Sequence, residues 1–309
     1  MNLFEKKSFK KQGFESIIKL ILLCSSAICI LTTFGILFSI LFEAIEFFKM
    51  RSFWYFITGT EWSPGVENSK FGALPIFSGT FIITSIALFV AIPLGLGSAI
   101  FTSEYASKNL RDYLKPILEI LAGIPTVVYG FFAAITVAPA IVKIANFFGL
   151  QAAFNSALAC GIVMGVMIIP IISSLCDDII SSIPKHQKNA SLALGLTKGE
   201  TIKDIILPTA MPGIISACLL GFSKAIGETM IVVMAAGLRA NLSLNPLEDM
   251  STVTVSILNS LTGDFEFNSP ETLSAFGLGL ILFIVTLVLN MISLKMIKKF
   301  KEKYEVSSL

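Results

Sequence analysis

Six long apolar runs constrain this chain more than any other feature. They lie near residues 15 to 46, 77 to 101, 117 to 141, 155 to 175, 211 to 237 and 273 to 296. A hydrocarbon core about 30 Å thick is crossed by an α-helix of about 20 mostly apolar residues, and every run reaches that length. With 54% hydrophobic and only 14% charged residues in 309, the apolar surplus excludes a soluble globular domain. The expected class is an all-α integral membrane protein with six transmembrane helices. One membrane domain over residues 15–297 is flanked by tails at 1–14 and 298–309.

Basic residues orient such a chain, because loops rich in Lys and Arg stay on the cytoplasmic side. Placing the N-terminus inside puts 17 of the 23 Lys and Arg in the cytoplasm, within 1–19, 102–116, 176–210 and 295–303. Five fall outside and Lys224 falls within a span. Both termini are therefore expected to be cytoplasmic, with Lys6, Lys7, Lys10 and Lys11 facing anionic lipid. The net charge of +2 reflects this sorting and implies no nucleic-acid partner. The first run is too long for a signal-peptide core and lacks a small-residue cleavage site, so it reads as a retained anchor. Cys24, Cys29, Cys160, Cys176 and Cys218 show no C-x-x-C spacing and read as packing residues, with no disulfide or metal role.

Between the runs, Trp54, Tyr55, Phe56 and Trp62 are residues of the headgroup level. Pro93, Gly95 and Gly97 in the second span and Gly123, Pro125 and Gly130 in the third mark breaks that need partners in protein or water. Gly123, Pro125 and Thr126 are candidates for a kink or gate. Lys108, Arg111 and Lys115 place a short loop inside. Asp177 and Asp178 have no His or further carboxylate at ligand spacing, so they read as a solvated helix end and no metal is expected. The segment from Leu238 to Thr272 carries Glu248, Asp249, Asp264, Glu266 and Glu271 against Arg239 alone. Its expected use is docking a partner protein.

The stretch from Ser181 to Gly237 holds the chemistry. Pro184 suits a first helical turn and Gly195 suits a left-handed helix cap. Thr197-Lys198-Gly199-Glu200 is a capping box. The second helix then presents Ile202, Ile205 and Ile206 on one face and is expected to stop before Pro208. Ala190, Ser191 and Ala193 keep the first helix slim. The product is a compact helix-turn-helix at residues 181–210 that can lie in a partner's groove. It is tethered to the membrane at both ends, which argues against a DNA reader.

In the apolar run that follows, Lys224 and Glu228 each cost about 2.5 to 3.5 kcal/mol at a bilayer centre. Both must face protein or a water-filled path. At i and i+4 they are expected to share a helix face and can pair, although Lys preceding Glu is the weaker order. Either the pair fixes the helix against its neighbours, or it is a charge switch on an anion pathway in which the anion competes with Glu228 for Lys224.

These residues resemble a known family. Asn189-Ala190-Ser191, Gly195, Ile205, Leu207 and Pro208 are similar to the cytoplasmic loop E-A-A, three residues, Gly, nine residues, I-x-L-P of binding-protein-dependent ABC importer permeases. The run Lys224-Ala225-Ile226-Gly227-Glu228-Thr229-Met230 looks like the R-A-x-G-E-T-M signature of the phosphate importer permeases of PstC type. Phe71-Gly72-Ala73-Leu74-Pro75 and Leu121-Ala122-Gly123-Ile124-Pro125-Thr126 agree with it. The chain departs from the pattern at Asn189 and Lys224, which replace an acidic residue and an arginine.

The resemblance implies a type I ABC importer permease fold in a bacterial inner membrane and a phosphate path at Lys224, Glu228 and Thr229. It implies an ATPase-coupling loop of Asn189, Ala190, Ser191, Gly195, Thr197, Glu200, Ile205, Leu207 and Pro208. The implied partners are a PstA-type permease, a PstB-type ATPase dimer, a PstS-type binding protein and membrane lipid. No G-x-x-x-x-G-K-[ST] loop occurs, so no cofactor is expected on this chain, and ATP and Mg would be bound by the ATPase. A secondary transporter or channel working alone, or an importer for another oxyanion, stays open at this point.

Overall fold

The computed structural model describes the backbone of residues 3–65, 69–263 and 265–305, and the side chains of 15–65, 69–263 and 265–299. Asp264 and the side chains of Lys6, Lys7, Lys10, Lys11, Lys301 and Lys303 lie outside the described residues. Among the described residues, six helical segments are long and apolar enough to cross a membrane: Glu15–Met50, Leu74–Tyr105, Thr126–Phe147, Ala157–Ser182, Lys198–Ile226 and Pro270–Lys299. The expected all-α class is the one found.

The helices are α1 (Leu3–Met50), α2 (Phe53–Thr58), α3 (Leu74–Ile100), α4 (Lys108–Ala122), α5 (Thr126–Phe132), α6 (Ala138–Phe147), α7 (Ala157–Ser182), α8 (Lys185–Ala193), α9 (Lys198–Thr201), α10 (Leu207–Ile226), α11 (Met230–Ala235), α12 (Val253–Thr262) and α13 (Pro270–Glu305). A two-residue antiparallel pair, Trp62–Ser63 with Lys70–Phe71, completes the fold.

Helix α7 is the axis. Its most apolar window is 61% buried, whereas that of α1 is 0% buried. Small residues explain the difference, because helices in lipid associate by close packing without a hydrophobic drive. Ala87 and Ala91 of α3 and Gly161 and Gly165 of α7 lie in their seam, and the Ser173 hydroxyl donates to Ser98 Oγ across it at 3.0 Å. Ile214 and Ala217 of α10 and Ile231 and Val232 of α11 close the same core. A second cluster joins Phe47 of α1, Phe56 of α2, Phe71 of the strand pair and Leu278 of α13. The aromatics expected at the headgroup level thus divide: Trp54 is exposed, while Phe56 is buried and Trp62 stacks edge-on against Phe56 and Phe71.

Three expected boundaries need correction. The third run does not start a span at residue 117, and the expected loop around Lys108, Arg111 and Lys115 is helical. Residues 108–122 form the separate amphipathic helix α4, capped by the Ser107 hydroxyl, which accepts from Leu110 N, and the span begins at Thr126. The second hairpin helix does not stop before Pro208. A π turn over Ile202–Ile206 carries α9 into α10, with Leu207 N bonded to Ile202 O. A proline lacks an amide hydrogen and its ring meets the carbonyl four residues back; the wide turn moves that carbonyl aside. The same device, a π turn over Ala133–Val137, precedes Pro139 between α5 and α6. Finally, the fifth span is not one helix to residue 237, because α10 ends at Ile226.

Candidate translocation site and hairpin

The break between α10 and α11 is where the two charges of the fifth span are found. Gly227 caps α10, and Glu228 and Thr229 form the link to α11. Glu228, 6% exposed, turns its carboxylate forward: Oε1 accepts from the amides of Met230 at 3.0 Å and Ile231 at 3.3 Å. Lys224 lies in the last turn of α10, exposed. It takes part in none of the ion pairs among the described residues. The expected shared helix face and Lys224–Glu228 pair are therefore not formed.

Helix-end electrostatics supplies the reason. A helix carries partial negative charge at its C-terminus and partial positive charge at its N-terminus. The ammonium of Lys224 complements the end of α10 and the carboxylate of Glu228 the start of α11. Each charge answers a helix end instead of the other charge, which leaves the ammonium unoccupied.

The break is held from two sides. Thr254 at the start of α12 donates its hydroxyl to Glu228 O at 2.8 Å and shares a hydrogen bond with Thr252 Oγ1 at 3.0 Å. On the other side α5 presses on α11. A Cβ on Gly130 would lie 2.9 Å from Met234 Sδ and 3.2 Å from Ile231 Cα, so a side chain there would have to displace Met234 and push back the α11 backbone. Thr126 is half-buried and Pro125 and Gly123 are exposed at the bend between α4 and α5. The Tyr129 hydroxyl closes that bend on Leu121 O at 2.9 Å. Sequence reasoning named Lys224, Glu228 and Thr229 but missed Thr252 and Thr254. They carry no span charge and no glycine or proline signal, and only the fold brings them to Glu228.

The segment after α11 is less loop-like than its length suggests. Ser156 N donates to Ala235 O at 3.0 Å, Ala153 N to Leu247 O at 2.9 Å and Met250 N to Ala236 O at 2.9 Å. Val253 N is bonded to Thr80 Oγ1 at 3.0 Å. Glu248 accepts from Asn241 Nδ2 at 2.7 Å and Asn245 Nδ2 at 3.2 Å. Hydrogen bonds from Ser243, Asn241 and Asn245 hold its carboxyl below the usual carboxylate range.

The hairpin follows its local signals closely. Gly195 takes φ +88°, and a Schellman pattern closes α8, with Leu196 N on Ser191 O at 3.3 Å and Gly195 N on Leu192 O at 3.0 Å. Thr197 and Glu200 form a complete capping box. Ser191 is buried and bridges the two arms, its hydroxyl lying 2.9 Å from Thr201 Oγ1. Ile206 is buried and Ile205, Leu207 and Pro208 are half-buried, fixing the hairpin to the bundle. Asn189 and Ala190 are exposed, together with Leu192 at 48% and Leu194 at 82%. Those two leucines, given no coupling role on sequence grounds, leave apolar surface uncovered at the tip.

Of the two aspartates expected at a solvated helix end, Asp178 is exposed and Asp177 is buried. The Asp177 side chain is 3% exposed and lies 2.8 Å from Arg111 Nη2 and 3.2 Å from Lys115 Nζ, both on α4. Asp178 takes Lys115 Nζ at 2.8 Å. The hydrogen bond to Asp178 is the main reason the Lys115 ammonium is raised above its ordinary value. A buried carboxylate survives only when paired, and its partners come from a segment the sequence presents as a loop.

The model of the family described as binding-protein-dependent transport system inner membrane component matches residues 91–303. The chain belongs to that family. This inner-membrane component is 35% identical to the probable ABC transporter permease protein YqgH of Bacillus subtilis (strain 168), over 75% of this chain and 73% of the relative. It is 31% identical to the phosphate transport system permease protein PstC 1 of Mycobacterium tuberculosis, over 79% of this chain and 82% of that protein. With PstC of Haemophilus influenzae it shares 30% identity over 96% and 97% of the two chains. Two solved structures have the same fold. A bacterial ABC transporter involved in the import of the acidic polysaccharide alginate aligns with TM-score 0.65 at 15% identity, covering 95% of this chain and 99% of that one. The MetNI methionine ABC transporter aligns with TM-score 0.53 at 16% identity, covering 72% and 93%. The fold is thus that of the importer permeases, and the protein is a multi-pass transport component of the inner membrane.

Proposed function

We propose that the chain is one of two permease subunits of an ATP-driven importer of inorganic phosphate. The observation that carries this reading is an unoccupied cation, Lys224, at a helix break within the membrane of a chain whose relatives are phosphate transport permeases over up to 96% of its length. Broken membrane helices place polarised ends where an ion must be met. An ammonium is a compact point charge that attracts phosphate without the bidentate fork of arginine. Lys224 therefore meets the anion while Glu228 stays on its helix cap and Thr229 and Thr254 keep the link in shape. The anion does not compete with Glu228 for Lys224, because the two side chains are not paired.

The positive-inside bias puts both termini and the hairpin in the cytoplasm. There the tip around Asn189, Leu192 and Leu194 docks on a PstB-type ATPase dimer, which binds the ATP and Mg. A PstA-type permease completes the path, and a PstS-type binding protein delivers phosphate to the opposite face, where Glu248 and its neighbours stand. Because α9, the π turn and α10 form one continuous span of 29 residues, about 43 Å at 1.5 Å per residue, tilting the hairpin moves the Lys224 end of the same rod. This is rigid-body switching.

The test is uptake by the reconstituted complex with phosphate, sulfate and molybdate offered separately. ATP-dependent accumulation of phosphate alone supports the reading. Preference for another oxyanion, or uptake by this chain without an ATPase, overturns it. In the same complex Gly195→Pro should prevent co-purification of the ATPase.

A further inference from the structure

Helix α4 has no buried side chain, yet it leads directly into the bend before α5. Beside the half-buried Leu114 and Leu118, its polar attachment to the bundle is ionic. Arg111 Nη2 bonds both Asp177 Oδ2 and Ser181 Oγ at 2.8 Å, and Lys115 Nζ reaches Asp177 at 3.2 Å and Asp178 at 2.8 Å. Asp177 stands out among these groups. It is the buried one, and its second oxygen, Oδ1, has no hydrogen-bond partner. Asp178, 63% exposed, has only Lys115.

The position of Asp177 suits a mechanical role. Helix α7 ends at Ser182, and Ile183 and Pro184 join it to α8 without slack. Lys188 of α8 is ion-paired with Glu104, at the foot of the second span, and its ammonium also reaches Ile180 O at 3.3 Å. A shift of the hairpin therefore reaches the foot of α7. From there Asp177 links to α4, the Tyr129 hydroxyl links α4 to α5 through Leu121 O, and Gly130 seats α5 on the backbone of α11 beside the Lys224–Glu228 break.

We propose that Asp177 is a positioning residue for transport, the joint through which Arg111 and Lys115 make α4 follow the hairpin, so that movement there is transmitted to the break. The inference rests on the importer reading. Coupling along such a contiguous network is a claim about energy and needs a direct test.

The experiment uses the full complex in proteoliposomes, with spin labels at Tyr113 on α4 and Ser182 at the end of α7 after replacement of the native cysteines. In the unsubstituted complex the distance between labels stays narrow and unchanged between nucleotide-free and vanadate-trapped states. Asp177→Asn is expected to broaden that distance and to lower phosphate taken up per ATP hydrolysed by about fivefold, with ATPase co-purification retained. Substitution of a buried group can impair folding, so Arg111→Gln with Lys115→Gln tests the same joint from its half-exposed side and is expected to match. Asp178→Asn loses one exposed pair but leaves Asp177 with both cations, so it is expected to broaden the distance and lower the ratio less than Asp177→Asn, and an equal or larger effect at Asp178 overturns the assignment to Asp177. The proposal falls if both joint variants keep either the narrow distance or the full uptake ratio. A complex that hydrolyses ATP but takes up no phosphate refutes the phosphate reading instead, and the label distances then decide the joint alone.

Discussion

The hairpin and the helix break are both polar interruptions of an apolar chain, but they are held in opposite ways. The hairpin is shaped from within, by a Schellman cap and a capping box that span a few residues each, and it is fastened outward by ion pairs such as Lys188–Glu104. The break is shaped from without. Its carbonyl is held by Thr254 of α12 and its following helix by Gly130 of α5. A locally folded element can move as a body, because its caps hold its shape without its neighbours, and the largely buried Lys188–Glu104 pair carries that motion to the foot of the second span. A break fixed by two separate helices, α12 and α5, keeps its geometry while the body around it shifts. The first is suited to receive force and the second to present a charge.

Substitutions can break this contrast, starting where the effect should be greatest. Lys224→Met removes the exposed ammonium and nothing that holds the break, so phosphate uptake should fall to background while the complex assembles normally. Normal uptake by that variant would remove Lys224 from the path. Gly130→Val comes next. It forces a side chain into the 3.2 Å approach to Ile231 Cα and should cost about 1–3 kcal/mol by overpacking, lowering both thermal stability and uptake. An unchanged melting temperature would show that α5 does not clamp α11.

Smaller effects sharpen the same contrast. Glu228→Ala leaves the amides of Met230 and Ile231 without their acceptor and should destabilise by about 1–3 kcal/mol, whereas Glu228→Gln keeps an acceptor oxygen and should lose less. If the two variants melt together, the cap is not what Glu228 supplies. At the hairpin, Thr197→Ala removes one half of the capping box and should cost about 1 kcal/mol, visible as faster amide exchange over 197–201 with the break unaffected. The smallest change expected is one of pH. The folded state lowers the pKa of Glu248 from its ordinary 4.5, so its contribution to stability is present above that value and is lost as pH falls through the lowered one. Glu248→Gln should flatten that acid limb in a melting series, and an identical limb would assign it to other carboxylates.

The number of spans, the class of the fold and the conformation at Gly195, Thr197 and Glu200 were readable from the chain alone. Hydrophobic run length and capping act over a few residues and do not need the rest of the molecule. Where neighbours compete, the same rules misplaced the result. Pro208 reads as a stop, but a π turn absorbs it and makes hairpin and span one rod. Lys224 and Glu228 read as a pair at helical spacing, but the ends of α10 and α11 claim one charge each. Asp177 reads as a solvated end, but α4 folds over it with two cations. The sequence by itself determined which segments enter the membrane and how the hairpin caps itself, because those are local balances of burial and hydrogen bonding. Only the tertiary structure decided where the fifth helix breaks and which charges meet. Those outcomes depend on groups far apart in the chain, such as Thr254 against Glu228 and Arg111 against Asp177, that only the fold brings together.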